Sequence, residues 1–349
     1  YNVPPNRRVV AAPGSMALSA KSTILRHEDQ STREIDSGMK SFMNKTAAIT
    51  GAGSGIGAAL AKRLAADGCH LALSDVNGAG LAATAADIRD RAPRCRVTTT
   101  HVDVANRGAV HAWADATADE LGGVNLIFNN AGVALGSTVE SADYADLEWI
   151  ININLWGVIH GTKAFLPHLR ASGSGHVINI SSVFGLIGVP SQGAYNATKF
   201  AVRGWTEALR QELEVEGARS AEASVNTGGI KTNIAKSARF TGMQELTGMD
   251  EDTGKARFEK MFITTPDKAA ATILKAVKRN ARRVLIGPDA HAIDWMARVA
   301  PTGYQALLRP TTHTSLRLAR THASLAHPAR ICTCLQLTHP PTPDHPATV

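Results

Sequence analysis

Tyr195 and Lys199 stand four residues apart in Tyr195-Asn196-Ala197-Thr198-Lys199, at the start of an apolar-periodic run that reaches about Val215. In a helix that spacing sets both side chains on one face. A phenol with a pKa near ~10 is a poor base at neutral pH, and an ammonium near ~10.4 stays charged. An ammonium placed beside the phenol favours the phenolate, so the tyrosine can exchange a proton with an alcohol or a carbonyl. Ser182 lies at the end of an alternating, β-branched strand, His176 to Ile180. Its hydroxyl can donate to a substrate oxygen and hold it beside the phenol. A Tyr-x-x-x-Lys pair alone also arises on ordinary helix surfaces, so its weight depends on the rest of the chain.

The elements before it supply that context. The apolar run Thr46–Thr50 leads into Gly51-Ala52-Gly53-Ser54-Gly55-Ile56-Gly57. A helix then runs from Ile56 to Asp67, with Ile56, Leu60 and Leu64 on one face and Gly68 ending it. Glycine removes the Cβ that would block a pyrophosphate, and the helix N-terminus offers it free N–H groups and partial positive charge. The next strand, His70 to Ser74, ends at Asp75. An acid there can accept from both ribose hydroxyls and repel a 2′-phosphate, which favours NAD over NADP. The alternative for Asp75 is to cap the turn at Asn77-Gly78. Helix 79–91 and strand Val97–Val102 follow, and Asp103 after them either accepts from an adenine amino group or caps its own turn.

A helix from about Asn106 to Leu121 stops at Gly122-Gly123, and strand Val124–Phe128 runs into Asn129-Asn130-Ala131-Gly132. Two adjacent amides at a strand's C-terminal edge can satisfy backbone groups and steady a cleft where open α/β sheets bind ligands. One long helical stretch is expected from about Tyr144 to Leu169, carrying Asn154 in apolar surroundings. That residue is either a buried amide with a backbone partner, or one that bends the helix and holds a water in a proton path. Gly185, Gly188 and Pro190 form the loop leading to Tyr195. Helix 266–280 and strand Arg283–Ile286 complete the ordered pattern. Alternating strands and helices specify a parallel sheet with right-handed crossovers.

The totals bound the reading. The chain has 349 residues, 44% hydrophobic and 19% charged, with 37 basic against 30 acidic residues and a net charge of +7. The basic excess is partly a tail effect and has no aromatic interleaving, which argues against nucleic-acid binding. No run of 18 apolar residues points to a membrane span. Arg7-Arg8 with Val9-Val10-Ala11-Ala12 is too short and too soon interrupted at Pro13-Gly14 to read as an export signal. Cys69, Cys95, Cys332 and Cys334 make no disulfide framework, so a reducing, cytoplasmic setting is expected. Cys332-Thr333-Cys334 lacks the spacing of a standard zinc site, and no metal is expected. Residues 1–38 read as a disordered extension, with Met39 or Met43 expected as the natural start. Residues 306–349, rich in Pro, Thr and His, read as a disordered tail, leaving 39–305 as one catalytic domain.

Over about residues 43–305 these features together resemble the short-chain dehydrogenase/reductase family. Thr50-Gly51-x-x-x-Gly55-Ile56-Gly57 is similar to its cofactor motif and Asn129-Asn130-Ala131-Gly132 to its structural motif. Asn154, Ser182, Tyr195 and Lys199 fall where its catalytic tetrad does. The resemblance implies an α/β fold, a single Rossmann-type doubly wound parallel sheet of about seven strands with helices on both faces. It implies an NAD(P) cofactor against Gly51, Ser54, Gly55, Ile56, Gly57, Asp75, Asp103, Val104, Asn130, Ala131, Gly132, Tyr195, Lys199, Ile230 and Thr232. Tyr195 would be the acid/base and Lys199 would lower its pKa and bind the nicotinamide ribose. Ser182 would orient the substrate oxygen, and Asn154 would hold a water linking Lys199 to solvent. A homodimer or homotetramer through the helices at about 144–169 and 195–215 is implied as well.

The expected activity is hydride transfer between NAD, preferred over NADP, and a small-to-medium secondary alcohol or ketone. Leu186, Ile187, Val189 and Pro190 are expected to line the substrate pocket, under a lid over 233–262 that carries Ile234, Phe240, Met243, Leu246, Phe258, Met261 and Phe262. Two departures from the family stand out. Thr227-Gly228-Gly229 replaces its usual Pro-Gly, and Ala218 to Val225 puts Arg219 and Glu222 where a central strand should be Val/Ile-rich. A short sixth strand starting near Ala223 is the expected reconciliation; a weakened copy or a local sequence error are the others. A second reading follows from those departures, a dinucleotide-binding scaffold or sensor without turnover.

Overall fold

The computed structural model describes residues 39–217, 221–234, 237–241 and 262–308. Residues 1–38, the chain from 309 onward with Cys332 and Cys334, Arg219, and Met243, Leu246, Phe258 and Met261 of the expected lid lie outside the described residues. Strands β1 (Thr46–Thr50), β2 (His70–Asp75), β3 (Val97–His101), β4 (Leu126–Asn129), β6 (His176–Ser182), β7 (Ala221–Thr227) and β9 (Arg283–Ile286) form one sheet. Its order is β3-β2-β1-β4-β6-β7-β9, and all of its pairs are parallel. The order reverses between β1 and β4, the place where the C-terminal edge of such a sheet opens a crevice. A second, two-stranded parallel sheet joins β5 (Leu135–Ser137) to β8 (Arg239–Thr241) beyond that edge.

Helices cover both faces. On one face α1 (Gly55–Ala66), α2 (Gly78–Arg91) and α7 (Pro266–Lys278) bury Leu60, Leu64, Ile88 and Ile273 against Ile49, Leu71, Ile178 and Val225. On the other, α3 (Arg107–Leu121) and α5 (Gly157–Ala171) bury Trp113, Phe165 and Leu169 against Ala48, Ile127 and Val177. The central strands β1, β2 and β4 are buried because both faces are covered, whereas β3 at the edge exposes Thr99 to His101.

Two expected elements differ. The stretch from Tyr144 is not one helix: α4 (Tyr144–Ile151) passes through a π-helical turn, Asn152–Trp156, before α5 begins. The Asn154 amide decides this, because its Oδ1 accepts the Val133 N–H at 2.8 Å and its Nδ2 donates to the Val133 carbonyl at 2.9 Å. A helix widened by one residue brings the amide to that backbone, as π-bulges do at functional sites.

The sixth strand of the sheet, β7, is not short. It starts at Ala221 and pairs with β6 residue for residue from His176↔Ala221 to Ser182↔Thr227. Only from Ser224 does β9 join its other edge. Its first three residues are therefore paired on one side, so the polar opening of the strand lies outside the doubly paired centre. Backbone pairing with β6 outweighs the poor strand propensity there.

Candidate active site

The C-terminal edge of β1, β4, β6 and β7 opens into a cleft of about 570 Å³. Its floor starts at the glycine turn. Gly57 shows why no side chain fits there: a Cβ would collide with the Gly51 carbonyl oxygen and come within 2.7 Å of Asn130 Nδ2. Asn130 Nδ2 donates to the carbonyls of Thr50 and Gly51 at 2.9 and 3.1 Å. The Thr50 hydroxyl accepts from the N–H groups of Asn130 and Ala131, both at 3.0 Å. The turn is thus pinned from β4, as the paired amides predicted. Asn129 faces the sheet instead, donating to Asn179 Oδ1 at 2.8 Å and Thr162 Oγ1 at 3.2 Å. The Ser54 side chain, at the N-cap of α1, makes no capping hydrogen bond. The first N–H groups of that helix then remain available to an anion.

Asp75 closes its turn and lines the cleft. Its Oδ2 accepts the Gly53 N–H and its Oδ1 the Asn77 N–H, each at 2.8 Å, and the carboxylate also lines the cleft. Asp103 does the same on a smaller scale, accepting the Ala105 N–H at 2.9 Å while lining the cleft beside Val104. Of the expected cofactor residues, Gly51, Ser54, Gly55, Ile56, Asp75, Asp103, Val104, Asn130, Ala131, Gly132, Tyr195, Lys199, Ile230 and Thr232 line this one cleft. Gly57 does not; it lies one layer behind, supporting the turn.

The far wall carries the reactive groups. Ser182 ends β6, and Tyr195 and Lys199 lie in the first two turns of α6 (Gly193–Val215). Ser182 and Tyr195 line the same wall; the Ser182 hydroxyl accepts the Phe184 N–H at 3.2 Å and donates to the Thr227 carbonyl at 3.5 Å. Lys199 Nζ sits 5.5 Å from the centroid of the Tyr195 ring and donates to the Ile180 carbonyl at 3.0 Å. Phe184 meets the tyrosine ring edge-on, with centroids 5.9 Å apart. Burial pushes the Tyr195 phenol up to about 12, against the smaller lowering by Ser182, and pulls the Lys199 ammonium down to about 8. Desolvation thus disfavours the charged form of each group. Asn154 does not line the cleft. It is fully buried, and besides its bonds to Val133 it donates to Thr198 Oγ1 at 3.4 Å.

Leu186, Ile187, Val189 and Pro190 do not line the cleft; Leu186 and Ile187 are buried and Val189 packs on the core behind it. The hydrogen bonds from Asn196 Nδ2 to the Phe184 and Ile187 carbonyls, both 2.8 Å, hold that loop back against α6. The apolar wall consists of Val133, Ala134, Val183, Phe184, Ile234 and Phe262, with Ile293 from α8 (Pro288–Val299). Ile234 and Phe262 fall within the expected lid segment. Val183 and Phe184 follow Ser182 directly and were findable as the first residues past the strand end. Asp289 and Ile293 gave no local signal, since only the fold returns α8 to this edge. Among the described residues no group of three His, Cys, Asp or Glu could hold a metal, and no helix is long and apolar enough to cross a membrane.

The family model described as short chain dehydrogenase matches residues 45–241. A protein of Mycobacterium tuberculosis named as an oxidoreductase, SadH, is 47% identical over 272 residues, covering 77% of this chain and 96% of its own. Levodione reductase of Leifsonia aquatica is 35% identical over 231 residues, covering 65% of this chain and 82% of its own. Among solved structures, a short chain dehydrogenase/reductase from Burkholderia phymatum in complex with NAD superposes with a TM-score of 0.69. It is 32% identical, covering 75% of this chain and 95% of its own.

Proposed function

The chain belongs to the short-chain dehydrogenase/reductase family of oxidoreductases, and on that premise we propose that it interconverts a secondary alcohol and a ketone, with Tyr195 as the acid/base. The convergence of Ser182, Tyr195 and Lys199 in the wall of the cleft that Gly55 and Asp75 begin carries this reading. A bound nicotinamide dinucleotide supplies or accepts the hydride. The cleft fits such a group: Gly51 and Gly55 line it without side chains, and the helix that begins there has no side-chain cap on its N-terminus.

The residues of the chain handle the proton. With a pKa near 12, Tyr195 is protonated at neutral pH, the form that donates to a carbonyl oxygen. Ser182 shares that oxygen and fixes its distance from the phenol. Lys199, near 8, is still mostly cationic at pH 7 and draws the phenol toward ionisation once proton transfer begins. Asn154 holds the Val133 backbone and, through Thr198, the helix that bears both residues. Resting protonation thus favours reduction, and the likeness to a levodione reductase supports a carbonyl substrate. Asp75 supports NAD over NADP: both of its oxygens are fixed by backbone N–H groups, so the carboxylate is held where a 2′-phosphate would be repelled. The exposed Ile151, Trp156 and Phe200 on α4 to α6 support a homodimer through those helices.

The scaffold reading drew on the charged sixth strand and the missing Pro-Gly, and the continuous pairing of β7 with β6 speaks against the first of these. Titrating the protein with NADH and NADPH and then assaying a panel of cyclic and aliphatic ketones tests the proposal. Tight NADH binding with ketone-dependent NADH oxidation is the expected result. Binding without oxidation of NADH by any ketone, or reduction of NAD by any alcohol, would return the scaffold reading.

A further inference from the structure

Asp289, in the first turn of α8, lies some sixty residues beyond the turn it touches. Its Oδ2 accepts the Gly229 N–H at 2.7 Å. At Gly228 a Cβ would meet the Asp289 carboxylate before anything else, its three nearest atoms being Oδ2, Oδ1 and Cγ. The Gly228 backbone is not in the left-handed region, so an alanine there would be excluded by that carboxylate and not by its own φ. Asp289 Oδ1 is buried without a hydrogen-bond partner among the described residues, an arrangement that costs stability unless it serves another end. The clamped turn continues through Ile230 and Thr232, which line the cleft, and Asp289 lines it too. On its other side the turn is tied to Thr264, whose N–H donates to the Gly229 carbonyl at 3.1 Å and whose carbonyl accepts the Lys231 N–H at 2.8 Å.

We propose that Asp289 is a positioning residue for the dinucleotide: its carboxylate fills the space left by Gly228, holds the Gly229 N–H, and so sets where Ile230 and Thr232 meet the cofactor. This inference rests on the dehydrogenase reading above. The turn departs from the family's Pro-Gly at this place, and a side chain from the C-terminal helix here fixes it from behind. A carboxylate that serves only the N-terminus of α8 would have another signature, stability without cofactor affinity.

The test compares NADH dissociation constants, by fluorescence, and melting temperatures for Asp289→Ala, Asp289→Asn, Gly228→Ala and the double variant Gly228→Ala/Asp289→Ala. The wild type is titrated first, since failure to bind NADH there overturns the dehydrogenase reading itself. Asp289→Ala is expected to weaken NADH about tenfold, and Asp289→Asn, which keeps an acceptor for the Gly229 N–H, less than threefold. Gly228→Ala alone is expected to weaken NADH more than tenfold, yet to add less than twofold once Asp289 is alanine. NADH affinity unchanged in Asp289→Ala, or an equal cost of Gly228→Ala with and without Asp289, overturns the inference. Should Asp289→Ala fail to fold, Asp289→Glu decides, because it keeps the charge on α8 but moves the carboxylate off Gly229; wild-type NADH affinity there overturns it equally.

Discussion

The two sides of the cleft are built on different principles. On the side of β1 and β2 the contacts join the ends of neighbouring strands: the Asp75 carboxylate closes turns at Gly53 and Asn77, and Asn130 reaches one strand across to Thr50 and Gly51. On the side of β7 the wall is assembled from distant parts. Thr264 ties down Gly229 and Lys231, Asp289 clamps Gly229, and Arg239 of β8 pairs with Asp146 of α4 at 2.7 Å while lying 3.8 Å over the Trp149 ring. The first side is a fixed socket made of backbone groups. The second is a set of ties made by segments outside the main sheet.

Removing chemistry from the second side while sparing the socket gives the largest effect. Tyr195→Phe should lower kcat by about 10²–10⁴-fold, with NADH affinity by fluorescence within twofold of wild type. A loss of NADH binding of the same size would mean the two sides are not separable. Asp75→Ala should lower the NAD-over-NADP efficiency ratio by about tenfold, on the scale of one charge-assisted hydrogen bond. Steady-state kinetics with both cofactors check it, and an unchanged ratio would confine Asp75 to its turns. Arg239→Ala should raise the KM for a ketone about threefold and leave the NADH dissociation constant unchanged, because the half-exposed ion pair is worth little in itself.

The smallest expected effect is on stability. The Lys199 ammonium has a pKa of about 8 in the folded chain against an ordinary value of 10.5, so burying the cation costs stability in full below pH 8. The cost fades as pH rises from 8 to 10.5, since the unfolded chain then holds more protons. Lys199→Met should therefore melt higher than wild type at pH 7, by a margin that narrows between pH 8 and 10, while losing activity. Measuring both melting curves from pH 7 to 9, below the pH of 10.0 at which an unfolded tyrosine is half ionised, checks the sign.

Much of the socket was legible because its signals are contiguous. Gly51 to Gly57, Asp75 at a strand end and Asn129-Asn130 each carry their own geometric reason within a few residues. The juxtaposition of Ser182, Tyr195 and Lys199 was legible through one helical spacing and one strand end. Asn154 was legible as a polar residue in an apolar helix, but not as the cause of a π-helical turn, which needs the Val133 backbone to show itself. The loop after Ser182 misled for the opposite reason. Leu186 to Pro190 are apolar and adjacent to the site, yet Asn196 ties their backbone away from it.

Residue order by itself determined the alternation of strands and helices, the parallel sheet, the glycine turn and the shared helix face of Tyr195 and Lys199, because periodicity and short spacings act through local backbone geometry. Tertiary structure alone decided three things: that β7 begins at Ala221, that Tyr195 and Lys199 are buried deeply enough to shift toward their neutral forms, and that Asp289 closes the turn at Gly229. Each depends on pairing, desolvation or contact between segments far apart in the chain, and no window of sequence contains those quantities.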